Sequence, residues 1–309
     1  MVSFSKKAVL GEKSVVDLHS RGITDITEIK GLDSLSGKLK GLILSNNSIK
    51  EIKGIEKLTK LELLDLHNNQ ISEIKNLESL KNLKYLHLYH NRINKIKGLE
   101  TLANLEILEL SFNNIEYISG LNMSGLKYLN LGHNNITKIE HLEILVNLER
   151  LILKRNNITQ IERLENLKSL KTLDLRENNI AEIRDLDSLV NLIELDLNDN
   201  NISEIKGLEN LIKLEYLGLD NNNISKIEGL QKLINLRELW LNNNQIERIP
   251  RFNKSKNWVR LWLNHNKLRY VEDLNNLSSV ELYFDHNPFT LEVIAKYGDR
   301  IEPDICLPL

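Results

Sequence analysis

The chain has 309 residues, 41% hydrophobic and 27% charged, with a formal net charge of −2. This is a globular composition, and it gives bulk electrostatics no reason to attract nucleic acid. A single cysteine, Cys306, rules out an internal disulfide framework. The start, MVSFSKKAVLGEKSVVDL, lacks the apolar run of a signal peptide, and no window approaches a membrane span. The expectation is a cytoplasmic protein, with a nuclear location left open.

Residues 1–38 read as an N-terminal cap, Met1–Ser14, followed by a degenerate first turn in which Val16–Leu18 and Ile23–Ile26 supply the apolar positions. Arg21 stands where later turns carry Asn, and extra residues lie around Asp33–Lys38. A regular unit then runs over residues 39–287. Its clearest copy begins LELLDLHNNQISEIKNLESLK at Leu61, with apolar residues at positions 1, 4, 6, 11, 14, 17 and 20: Leu61, Leu64, Leu66, Ile71, Ile74, Leu77 and Leu80. Positions 4 to 6 alternate as a strand does. The threefold spacing from 11 to 20 suits tight 3₁₀-type turns better than a full helix.

Position 9 is Asn throughout: Asn47, Asn69, Asn91, Asn113, Asn134, Asn156, Asn178, Asn200, Asn222, Asn244, Asn266 and Asn287. Nine of the steps are 22 residues, and two, Asn113 to Asn134 and Asn266 to Asn287, are 21. A primary amide both donates and accepts, so a column of Asn can bridge the backbone groups of successive turns. Position 16 is Gly at 54, 98, 120, 207 and 229, with Asn76, Asp185 and Asp273 elsewhere, which predicts a backbone near positive φ, while His141, Arg163 and Arg251 at the same position read as a demand that is not absolute. Met123 takes a core Leu position in the first short turn. Near the end, Ile249–Pro250, Phe252 and Ser255 replace the usual Ile, Leu and Leu, and Trp258 takes position 1. Either Ser279 or Val280 holds that place in the last turn. Residues 288–309 read as a cap: a short helix over Thr290–Tyr297, Thr290 as its N-cap, Leu291, Ile294 and Ala295 on one face, Gly298 as its stop, and an irregular tail with Pro303 and Pro308.

One such coil cannot bury its apolar face alone, whereas stacked coils make a continuous core. The expected fold is an α/β solenoid forming one domain over 1–309. It is a curved horseshoe of about 13 turns with a parallel concave sheet, a convex side of short 3₁₀ turns, and capped ends.

Positions 3, 5, 7 and 8 leave the core, so they carry what the sequence says about ligands. Seven of the eight histidines lie there or at its edge: His19, His67, His87, His90, His133, His265 and His286. Asp65, His87 and Glu109 hold position 5 of three consecutive turns, which reads as an acid–base or metal site or as a polar sheet face. No HExxH or CxxC spacing accompanies them, and a strand column spreads ligands apart; no metal, cofactor or catalytic residue is assigned. Sequons such as Asn135–Thr137, Asn157–Thr159, Asn201–Ser203 and Asn223–Ser225 are generated by the repeat itself. Arg150, Lys154, Arg155 and Arg176 make a basic patch beside acidic Asp174, Glu177, Glu194, Asp196, Asp199 and Asp220, with a solvated face and a binding role both open. An apolar zone, Ile43, Leu63, Tyr85, Ile107, Tyr128 and Ile152, lies N-terminal.

The C-terminal face carries Tyr216 and three successive position-5 aromatics, Trp240, Trp262 and Tyr283. Aromatic side chains outside a core point to a binding surface, or to rings stacked to close a degenerate end. Glu238, Arg260 and Glu281, two residues before each aromatic, are expected to edge that surface.

The pattern L-x-x-L-x-L-x-x-N-x-L resembles the intracellular 22-residue class of leucine-rich repeat proteins. Segments such as GIEKLTKLELLDLHNNQISEIKNLESL are similar to the leucine-rich regulatory subunit of protein phosphatase 1. That resemblance implies a curved solenoid that binds a catalytic subunit through its inner face. Trp262 and Tyr283 match aromatic contact positions of that family and Glu109 an acidic one, while Asn130, Ile152, Asp174, Trp240 and Arg260 depart from it, as does the ending TLEVIAKYGDRIEPDICLPL. The functional expectation is a non-enzymatic scaffold or regulatory subunit, monomeric on its own, that binds a protein on the concave face through Tyr216, Glu238, Trp240, Arg260, Trp262, Glu281, Tyr283 and Glu109. It binds neither nucleic acid nor membrane. The alternatives are an exported cell-surface adhesion protein of the internalin kind and a metal-dependent hydrolase built on Asp65, His87 and Glu109.

Overall fold

Positions 3 to 5 of each turn form a strand because position 4 must enter the core while its two neighbours leave it. The computed structural model describes residues 14–252, 257–272, 274, 277 and 279–297, in two compact units, Met1–Asn156 and Asn157–Leu309. The N-terminal cap before Ser14, Ser255, Asp273, Gly298 and the tail with Pro303, Cys306 and Pro308 lie outside the described residues.

In the first unit the strands are β1 (Val15–Asp17), β2 (Gly41–Ile43), β3 (Leu63–Asp65), β4 (Tyr85–His87), β5 (Ile107–Glu109), β6 (Tyr128–Asn130) and β7 (Arg150–Ile152). All pair in parallel, each with the next, in a register that stacks position on position: Leu64 on Leu86, Leu86 on Leu108, Leu108 on Leu129. These leucines are fully buried, as are the Ile and Leu of positions 11 and 17 in most turns. The degenerate first turn carries 3₁₀ segments Ile26–Glu28 and Asp33–Leu35, the second at the predicted insertion. In the regular turns, Leu80 N–H donates to Leu77 O and Leu83 N–H to Leu80 O, giving the tight i→i+3 path that the threefold spacing predicts.

The second unit holds β8 (Thr172–Asp174), β9 (Glu194–Asp196), β10 (Tyr216–Gly218), β11 (Glu238–Trp240), β12 (Arg248–Ile249), β13 (Arg260–Trp262), β14 (Tyr270–Val271) and β15 (Glu281–Tyr283). Here β8, β9, β10, β11, β13 and β15 pair in parallel in the same manner. The loosened pattern at Ile249–Pro250 has a structural consequence the sequence did not disclose: β12 and β14 pair as a small second parallel sheet. Phe252 and Trp258 pack with ring centroids 5.0 Å apart. Val280, not Ser279, enters the core of the last turn.

The Asn column bonds as its chemistry requires. Asn69 Nδ2 donates to Leu44 O of the preceding turn and to Leu66 O, both at 3.0 Å, while its Oδ1 accepts Ile49 N–H at 2.9 Å. The pattern recurs from Asn47 through Asn287. Position 16 has positive φ at Gly54, Gly98, Gly120, Gly207 and Gly229, at Asn76 and Asp185, and also at His141 and Arg163, so these two bulkier residues adopt the left-handed backbone rather than escape it as the sequence suggested. A Cβ on Gly98 would lie 2.5 Å from Ile74 O; at the same place Asn76 instead donates its Nδ2 to Ile52 O at 2.6 Å.

Two further columns run along the turns. Position 8 is left-handed from Ser20 through His286, including Phe112 and Arg155, which do not favour that region. At position 22, Asn82, Asn104, Asn147, Asn191, Asn235 and Asn257 each donate Nδ2 to a backbone carbonyl one turn back, at 2.7–2.9 Å.

The closing helix, α1 (Leu291–Tyr297), begins at Thr290, whose Oγ1 accepts Val293 N–H at 3.4 Å and whose carbonyl accepts Ile294 N–H at 3.1 Å. Its buried face differs from the expected Leu291, Ile294 and Ala295. Val293 and Tyr297, one helical turn apart, are buried, and Leu291 is 76% exposed. Leu291 and Ala295 are an i, i+4 pair on another face of the helix, and both are exposed.

Candidate functional site

The register of the second unit brings the predicted aromatics together. Trp240 lies opposite Trp262, and Trp262 opposite Tyr283. The Trp240 and Trp262 ring centroids are 5.5 Å apart and tilted by 45°. Trp262 and Tyr283 are 3.6 Å apart and 4° from parallel. Tyr216 meets Trp240 edge-on at 5.7 Å. The rings are half-buried against one another and still reach solvent; Trp262 Nε1 is enclosed without a hydrogen-bond partner.

Glu238, Arg260 and Glu281 form the expected edge. The Arg260 guanidinium donates Nη1 to Glu238 Oε1 at 3.0 Å and Nε to Glu281 Oε2 at 2.9 Å. Trp240 Nε1–H donates to Glu238 Oε2 and the Tyr283 hydroxyl to Glu281 Oε2, each at 3.3 Å. Hydrogen bonding to Arg260 holds the Glu281 carboxyl below the usual range.

Beside the aromatics, Asp196, Gly218 and Trp240 are successive position-5 residues. A Cβ built on Gly218 would lie 2.8 Å from Asp196 Oδ1, 2.8 Å from the Tyr216 hydroxyl and 2.9 Å from Asn198 Oδ1. Three oxygens therefore close over a glycine in a column of otherwise large or charged side chains. Arg176, which the sequence grouped with a basic patch, belongs to this cluster instead: its Nη2 donates to Asp174 Oδ2 at 2.8 Å and its Nε lies 3.2 Å from Asp196 Oδ2. Adjacent strands force Asp174 against Asp196, and the guanidinium supplies the intervening cation. Burial pushes Asp196 up to about 6, and burial likewise raises Asp220. Burial, with Asp196 alongside, raises the Tyr216 hydroxyl.

In the first unit, Asp65, His87 and Glu109 are in register as predicted. Asp65 is fully buried, with its Oδ1 2.7 Å from His67 Nδ1 of its own strand end. Among the described residues no group of three His, Cys, Asp or Glu side chains could hold a metal ion. The apolar zone is less open than its positions imply: Ile43, Leu63 and Ile152 are buried, because side chains on strands roughly 4.8 Å apart screen one another. Tyr128 is raised by burial and then by Glu109. Five of the face histidines, His67, His90, His133, His265 and His286, serve as ring partners. His67 stacks on Tyr89 at 4.3 Å, His90 on Phe112 at 4.0 Å, Phe112 on His133 at 3.7 Å, and His265 on His286 at 4.1 Å.

Gly218 and Asn198 were not singled out from sequence. The signal was a Gly at position 5, where neighbouring turns carry Asp or Trp. The position-8 column also had a trace, in Asn46, Asn68, Asn221 and Asn243, since Asn tolerates left-handed backbone.

The family model for leucine-rich repeats (two copies) matches residues 38–79, 59–104, 81–123, 103–144, 124–166, 146–189, 190–232 and 234–279. An internalin (InlF) of Listeria monocytogenes is 27% identical over 90% of this chain and 87% of its own, with TM-score 0.67. A leucine-rich repeat protein of Leptospira interrogans is 26% identical over 94% of this chain and 95% of its own, with TM-score 0.72. The functional domain of InlJ from Listeria monocytogenes, 22% identical over 92% of this chain and 66% of its own with TM-score 0.73, shares the fold. No curated protein matches the chain. Among the described residues no helix is long and apolar enough to cross a membrane.

Proposed function

This chain belongs to the leucine-rich repeat family, and from that premise we propose a non-enzymatic, intracellular scaffold or regulatory subunit that binds a protein partner on the exposed face of its sheet. The observation that carries this reading is the Trp240–Trp262–Tyr283 column with its Glu238–Arg260–Glu281 edge. Large aromatic side chains on a solvent-facing sheet are what binding hot spots are made of, and a charged edge fixes the orientation of what docks there. The sequence resemblance to the phosphatase regulatory subunit adds a phosphatase-type catalytic subunit as the partner class. The test is affinity capture from native lysate on the wild-type chain and on Trp262→Ala. A protein retained by the first and lost by the second, then identified and titrated, supports the reading; equal retention by both overturns it.

A second reading is an exported surface protein of the internalin kind, favoured by the likeness to internalin InlF over most of both chains. Fractionation of the native cells separates the two. Recovery in the surface or secreted fraction favours the second, and recovery in the soluble cell interior the first.

A further inference from the structure

We propose that the ring ladder of the first unit, centred on Phe112, binds an acidic segment of a protein partner, with an apolar side chain covering Phe112 and carboxylates on either side of it. Phe112 holds position 8 at two disadvantages. Its backbone is left-handed, with φ 54°, a region that Asn46, Asn68, Asn221 and Asn243 enter more cheaply at the same position. Its ring is 40% exposed even though it stacks on His90 at 4.0 Å and on His133 at 3.7 Å. The two imidazoles take both faces of the ring, so the exposed part is its rim. Backbone strain and an exposed aromatic at one residue mark a functional contact.

The surroundings of the ladder fix the charge of what covers it. Positions 6 to 11 of four successive turns read LYHNRI from Leu88, LSFNNI from Leu110, LGHNNI from Leu131 and LKRNNI from Leu153. They hold Arg92, Lys154 and Arg155 and no carboxylate, whereas the same positions of the next three turns carry Glu177, Asp199 and Asp220. The stem of Lys154 lies across Gly132, its Cγ 3.2 Å from where a Cβ would be, which sets the lysine beside the residue that precedes His133. Glu109, the carboxylate of strand β5, accepts from the Tyr128 hydroxyl. Each imidazole carries an N–H in either tautomer, and aromatic rims are electropositive. An apolar centre within such a rim draws carboxylates and repels basic segments. A nucleic-acid strand would need open ring faces for its bases, and both faces of Phe112 are covered. With turns roughly 4.8 Å apart and an extended chain rising roughly 3.3 Å per residue, about five residues cover the ladder from His90 to Arg155.

The probe is the pentapeptide Ac-Asp-Glu-Leu-Glu-Asp-NH2, titrated calorimetrically into the full chain at fixed ionic strength. Its counterparts are the amide peptide Ac-Asn-Gln-Leu-Gln-Asn-NH2 and an oligothymidylate of equal charge. This titration is separate from the capture test on Trp262→Ala, so either can fail alone. Saturable binding of the acidic peptide is expected, at least about tenfold tighter than that of either counterpart. Phe112→Asn, which supplies a residue suited to the left-handed backbone, should weaken it about tenfold, and Lys154→Gln about fivefold. Lys81→Gln removes the same charge from position 21 of an earlier turn and should leave affinity unchanged. Circular dichroism melts establish the folded fraction of each variant, and affinity is taken per folded molecule. No saturable binding, equal affinity for the amide peptide, a Lys81→Gln loss equal to that of Lys154→Gln, or a Phe112→Asn protein changed in melting but not in affinity overturns the inference. Equal or tighter binding of the oligothymidylate overturns it too and assigns the ladder to nucleic acid.

Discussion

Tyr283 lies flat on Trp262, their ring centroids 3.6 Å apart and their planes 4° from parallel. The contact is made across two parallel strands in register, so it costs little additional ordering once the last turn has formed. It also gives Trp262 a structural role alongside any role in binding, and the two are separable by experiment.

Trp262→Ala should lower stability by only about 1 kcal/mol, the worth of an aromatic pair on a half-exposed face, because the core leucines of that turn are untouched. It should weaken partner binding by about 2 kcal/mol or more. Melting and affinity measured on the same protein decide the matter: a large drop in melting temperature with unchanged affinity per folded molecule would make the column purely structural.

The Asp174–Arg176–Asp196 group makes stability depend on pH. Burial raises Asp196 from its ordinary 3.8 to about 6 despite Arg176 beside it. Between those values the native state holds a proton that the unfolded chain lacks, so the contribution of Asp196 to stability should rise as pH falls from about 6 toward 4 and be lowest above 6, opposite in sign to that of the lowered carboxyls of Glu51, Glu62 and Glu281. Asp196→Asn removes the buried charge while Arg176 keeps Asp174. It should raise stability at pH 7 by about 1–3 kcal/mol and flatten that slope. Urea melts at pH 4.5 and pH 7 check both, and a variant less stable than wild type at pH 7 would show that the ion pair outweighs the burial penalty.

Asn156→Ala tests the ladder. Its amide donates to Leu131 O at 3.0 Å and Leu153 O at 2.9 Å, and its Oδ1 accepts Ile136 N–H at 2.9 Å. Removing it strands buried backbone groups and should cost on the order of 1–3 kcal/mol in a denaturant melt. A change within error would mean that water satisfies those groups.

Truncation before Phe289 tests the cap. Val293 and Tyr297 are buried by α1 packing, and without them the apolar edge of the last turn is open. The shortened protein should associate at raised concentration and lose amide protection in β15 first. Unchanged sedimentation and hydrogen exchange would count against a capping role.

What the sequence determined by itself was everything set within one turn. Leu at positions 1, 4 and 6, Ile at 11, and the Asn at 9 dictate a strand, a tight return and a hydrogen-bonded ladder wherever they recur, and the 22-residue period then stacks the turns in register. The aromatic column followed from the same period, since equal spacing along the chain becomes adjacency across strands. Tertiary structure decided what depends on the neighbouring turn. It took Arg176 out of the basic patch and set it between Asp174 and Asp196, and it turned Asp65 toward His67. It closed three oxygens over Gly218, drew Val280 rather than Ser279 into the core, and presented Val293 and Tyr297 as the buried face of α1. Each of these outcomes is set by which side chain lies about one turn away across the sheet and how much room it leaves. A pattern read one turn at a time carries the position of that neighbour but not its rotamer, its charge partner or its burial.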